Sequence, residues 1–97
     1  MRGGSVAYGC MSDAFPGQEH ARHMGELKRG PHRWDVYLEV QRDAELSAVR
    51  GRIHFVGGGV HKNTGWVFLE WQEKDVVERF GEFSAVELLQ FVEAIPD

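Results

Sequence analysis

Trp34-Asp35-Val36-Tyr37-Leu38-Glu39-Val40-Gln41 alternates without a break: Trp34, Val36, Leu38 and Val40 fall on one side, Asp35, Tyr37, Glu39 and Gln41 on the other. Residues two apart share a face only in an extended chain, so this is a strand with one face in a core and one toward water. Asp43-Ala44-Glu45 reads as a turn, and Ser47 to Gly57 as a second strand. Val49, Ile53 and Phe55 continue the apolar face. Arg50, Arg52 and His54 share the polar one, with Tyr37 and Glu39 across from them. Gly51 interrupts the apolar side, which points to a bulge or to the close approach of a large neighbour.

Downstream, Gly57-Gly58-Gly59 opens a long, flexible loop that closes near Asn63-Thr64-Gly65. A third strand, Trp66 to Trp71, is apolar on both sides, with Val67, Leu69 and Trp71 on one and Trp66 and Phe68 on the other. Such a strand is usually central or covered on both faces. The period then changes. Val76, Val77 and Phe80 fit a short helix from about Glu73 to Phe80, ended by Gly81. Ser84-Ala85-Val86-Glu87 has the form of a capping box, in which Ser and Glu each satisfy a backbone N–H of the other's turn, and Phe83 is placed for a hydrophobic staple. Leu88, Leu89, Val92 and Ile95 form the stripe of a second helix, stopped by Pro96. The expected fold is α+β over residues 33–97: a three-stranded antiparallel meander followed by two C-terminal helices packed on one sheet face, in the order β-β-β-α-α.

Upstream of the first strand the pattern dissolves. Residues 1–32 hold six glycines, with Pro16 and Pro31 as further breakers and few apolar residues. A segment of that kind offers little surface to offset the entropy of ordering it, so it is expected to be flexible or disordered. Gln18 to Lys28 has some helical character, but Gly25 interrupts it.

The chain has 97 residues, which fits one domain. Three Trp and six Phe supply a core, but a domain of roughly 60 residues buries only about 60% of its unfolded surface. Self-association is therefore a natural source of further stability. The net charge is −4, and residues 34–97 hold six Lys/Arg against twelve Asp/Glu. That balance argues against a nucleic-acid partner, whose phosphates call for excess positive charge, and against a polybasic membrane contact. The single cysteine, Cys10, excludes an internal disulfide, and no apolar run matches a signal peptide or a membrane span. These features predict a cytoplasmic protein.

Candidate chemistry is sparse. His20 and His23 would share a side of a helix, but two imidazoles fall short of a zinc site, so no metal is expected. Gly57-Gly58-Gly59 with Lys62 and Thr64 leads into a strand instead of a helix, which leaves no helix N-terminus for a phosphate. No nucleophile elbow, zinc-protease His pair or Ser/His/Asp grouping is present, so neither catalysis nor a cofactor is expected. What stands out is a face combining Trp66 and Phe68 with Arg50, Arg52, His54 and Tyr37, residue types enriched at interfaces. The chain reads as a small non-catalytic interaction domain, a homodimer formed through that face or an edge strand, or one that takes another protein partner. The alternative is a module binding nucleic acid or an acidic ligand on the same face, using its Arg and aromatic groups.

Overall fold

A computed structural model describes residue 15 and residues 17–96. It has a five-stranded antiparallel sheet and two C-terminal helices, preceded by a 3-10 turn at Gln18–His20. The strands are β1 (Ala21–Arg29), β2 (His32–Asp43), β3 (Ala48–Gly57), β4 (Val60–Asn63) and β5 (Phe68–Glu70); the helices are α1 (Glu73–Gly81) and α2 (Ala85–Ala94). Their order in the sheet is β1-β2-β3-β4, and β5 pairs with the part of β3 that β4 leaves free.

The α+β class holds, and so do the central hairpin and both helices. In register, Tyr37 faces His54, Glu39 faces Arg52 and Gln41 faces Arg50. The connecting turn is held by Asp43, whose Oδ1 accepts from the N–H groups of Glu45 (3.1 Å) and Leu46 (3.3 Å). The helices lie on the apolar face, where Val36, Leu38, Ile53 and Phe55 meet Val76, Phe80, Leu88 and Val92. Gly51 is the point of closest approach. A Cβ there would lie 2.6 Å from Val76 Cγ1, so the absent side chain lets α1 settle onto the sheet. The capping box forms as its spacing requires: Ser84 Oγ accepts from Glu87 N (3.1 Å), and Ser84 N donates to Glu87 Oε1 (2.8 Å). Phe83 packs edge-on against Phe91 and Phe68.

Three expectations need correction. Residues 21–29, read as unfolded or helical, form β1, which pairs with β2 along its length and buries Leu27. Its alternation is hidden because the register shifts between His23 and Gly25, so apolar Met24 and Leu27 no longer stand at even spacing. The supposed long loop after Gly57 is a tight turn at Gly58-Gly59 followed by β4. Finally, the third predicted strand shrinks to Phe68–Glu70, because the chain bends at Gly65 (φ 76°) and Trp66. Among the described residues, no helix is long and apolar enough to cross a membrane.

Candidate functional site

The polar face of the sheet is not a uniformly solvated surface. Glu39 and His54, both on it, are 0% and 1% exposed. Neighbouring strands converge there: β2 brings Tyr37, Glu39 and Gln41, β3 brings Arg50, Arg52 and His54, and β4 adds His61, which lies across from Val56. The residues just before β1 cover the centre. Phe15 stacks on His54 and His61 with centroids 4.2 and 4.7 Å apart, and meets Tyr37 edge-on. Gly17 (φ 87°) lies against the Glu39 carboxylate so closely that a Cβ would come within 2.2 Å of Oε2. Only glycine allows both that conformation and that contact.

Burying a carboxylate costs several kcal/mol unless it is well paired. Glu39 is paired on both oxygens. Oε1 accepts from Arg52 Nε (2.7 Å) and from His54 Nε2 (2.7 Å), and Oε2 accepts from Gln41 Nε2. A carboxylate only accepts, so the His54 proton sits on Nε2. His54 Nδ1 is then the acceptor for His61 Nε2–H at 2.7 Å. The result is a chain from a buried carboxylate through a buried imidazole to His61 at the surface, which orients the outer Nδ1 of His61 as a proton acceptor.

Charge and burial set the titration of this chain. Burial pushes the Glu39 carboxyl up, but hydrogen bonds from Arg52, His54 and Gln41 and the Arg52 charge outweigh it, and its pKa ends below 4.5. Burial lowers the pKa of His54; the bond and charge of Glu39 partly offset this, His61 and Arg52 add to the lowering, and the net value lies below 6.5. Burial and the Arg52 charge lower His61 as well. Both histidines are therefore neutral in the fold at pH values where the unfolded chain already takes up protons. Stability should fall as pH drops below the ordinary histidine value of 6.5. The contribution of Glu39, present above its unfolded pKa, is lost later, as pH falls through its folded value. Urea midpoints measured from pH 7.5 to 5 should decline steadily; a flat or rising profile on acidification would contradict the buried neutral pair.

Five of the six residues singled out in the sequence come together. Tyr37, Arg52 and His54 belong to the covered centre. Trp66 lies over both guanidinium groups, 4.6 Å from Arg50 and 4.3 Å from Arg52. Phe68 does not join them: it is a core residue, 7% exposed, on the helix side. The bend at Gly65-Trp66 cancels the alternation that would have kept residues 66 and 68 on one face. Consequently Leu69, across from Arg50, and Trp71 are outside, 59% and 74% exposed. Glu39, His61, Phe15 and Gly17 were missed as site residues, since local pattern carries no sign that a polar face will be covered. His20 and His23 separate, His20 to Glu19 and His23 to Asp35.

Comparison with known proteins finds no matching family model, no matching curated protein and no matching solved structure.

Proposed function

We propose that the protein is a non-catalytic interaction domain that pairs with a second copy of itself through β5 and the aromatic patch around it. The observation that carries this reading is the exposure of Trp66, Val67, Leu69 and Trp71 on and beside a strand that, among the described residues, pairs on one side only. Leu46, in the turn at the same end of the sheet, is exposed as well. Proteins usually blunt an edge with charge, proline or a covering segment, and this one instead carries large apolar groups.

A second copy is the favoured occupant because β5 is suited to two-fold pairing. Antiparallel addition centred on Leu69 sets Leu69 against Leu69, and Val67 of one copy across from Trp71 of the other. Nearby charges are balanced within the chain, Arg50 with Asp43 and Arg79 with Glu70, so no like-charge barrier opposes contact. The reading of the same face as an anion or nucleic-acid site is weaker, because Arg52 is already committed to Glu39 and Arg50 to Asp43. Its single cysteine suits a cytoplasmic setting.

Light scattering over a concentration series tests the proposal. The full chain should reach twice its 11.0 kDa mass. Leu69→Lys should remain a folded monomer with the thermal midpoint that the wild-type chain shows once diluted to a monomer, since Leu69 is exposed and outside the core cluster. A wild-type chain that stays monomeric to its solubility limit would overturn the reading, as would a dimer indifferent to Leu69→Lys.

A further inference from the structure

Phe15 and the turn at Gln18–His20 rest on the polar face of the sheet, away from the helices. We propose that Phe15, Gly17 and this turn are an acid-released latch: in mild acid they leave the sheet and uncover Glu39, Tyr37 and the His54–His61 pair, while the rest of the fold stays intact. The turn is built from short-range bonds. Gln18 N donates to Phe15 O (3.1 Å), His20 N to Gly17 O (2.9 Å) and Phe15 N to Gln18 Oε1 (3.3 Å), and none of the three reaches the sheet. The hold on the sheet centre is the Phe15 ring, packed on His54, His61 and Tyr37, together with the contact of Gly17 with the Glu39 carboxylate. The core around Leu38, Phe55, Val76 and Val92 lies on the opposite face and does not include Phe15. Releasing the latch therefore exposes polar groups, which water can serve, and leaves the helix-side packing untouched. A segment held by so few apolar contacts opens ahead of the whole fold.

Protonation drives the release. Phe15 stacks on both imidazoles, so it is the group that keeps water from them. Among the described residues, the charged and titratable groups facing the pair are Glu39 and Tyr37 from β2 and Arg52 from β3. Lys62 of β4 is turned to the helix side, where it donates to the carbonyl of Val92. His23 of β1 pairs with Asp35 beyond Tyr37, and Glu19 pairs with His20 within the turn. Glu39 and Arg52 already neutralise each other, so an added proton is unbalanced charge beneath an apolar ring. The first enters at His61 Nδ1, the acceptor left open by the chain. A second, at His54 Nδ1, sets two N–H groups against each other across 2.7 Å. With Phe15 away, water reaches both rings and they take up protons nearer the ordinary value of 6.5. The open form binds more protons, so acid favours it. Below pH 6.5, each proton gained on opening lowers the closed-to-open ratio by up to about tenfold per pH unit.

The test follows the full isotope-labelled chain by nuclear magnetic resonance from pH 7.5 to 5. The expected result is a fall of the heteronuclear Overhauser values at Gly17 and Glu19 in step with titration of His54 and His61, while the Phe55 and Val76 amides keep their shifts. Phe15→Ala should keep those core shifts, loosen the turn already at pH 7.5 and move both imidazole titrations up toward 6.5. His61→Gln, which still offers an N–H to His54 but cannot titrate, should delay the release to lower pH. A turn that stays ordered at pH 5 would overturn the proposal, as would turn and core signals lost together at one pH. So would a His61→Gln chain with the wild-type release profile, or a Phe15→Ala chain whose imidazole titrations are unchanged or whose core shifts are lost.

Discussion

Glu39→Ala is expected to destabilise the fold by about 3–5 kcal/mol, the usual cost of removing one partner from a buried ion pair. The loss comes from the groups left behind. Arg52 Nε and His54 Nε2 both donate to Glu39 Oε1, and His54 is 1% exposed, so water cannot readily replace the carboxylate. Small domains have only about 5–15 kcal/mol in total, so this variant should be close to unfolding at room temperature. Glu39→Gln keeps the shape and one acceptor oxygen and should lose less. Urea denaturation at pH 7.5 measures both. A Glu39→Ala midpoint equal to that of wild type would mean that the carboxylate is solvated and the covering contact of Phe15 and Gly17 is not made.

Phe55→Ala should cost about 3–5 kcal/mol through lost burial and the cavity left behind. Phe55 is fully enclosed at the centre of β3, across from Val36 and beneath the helices. The same truncation also tests the face assignment on β5. Phe68→Ala, in the core, should be clearly destabilising, whereas Trp71→Ala, at 74% exposure, should stay within about 0.5 kcal/mol of wild type at concentrations where the chain is monomeric. Urea midpoints of the three variants decide the matter. A neutral Phe68→Ala beside a severe Trp71→Ala would mean that the strand faces the other way.

The two residues differ in how readable they are. Phe55 belongs to an alternation that runs through β2 and, with Gly51 as its one gap, through β3, so its inward position follows from the chain itself. Phe68 is separated from Trp66 by one residue, and alternation would put the two on one face; the bend at Gly65-Trp66 parts them. β1 was obscured in a similar way, by the register shift at His23/Gly25. In both cases one local irregularity defeats a period-two reading, because every residue beyond it changes face.

By itself the sequence determined the α+β class, the central hairpin with its inward Val36, Leu38, Ile53 and Phe55, and the α2 boundary at Ser84. These rest on the geometry of a strand, of a helical turn and of a cap, each set by residues a few positions apart. Only the tertiary structure decided which polar residues are buried. Glu39, His54 and His61 become one hydrogen-bonded chain because Phe15 and Gly17 return over the far face of the sheet, and Trp71 and Leu69 stay outside because β5 ends the sheet there. Burial of a polar face depends on what covers it, and that contact joins residues far apart in the chain, which no local periodicity records.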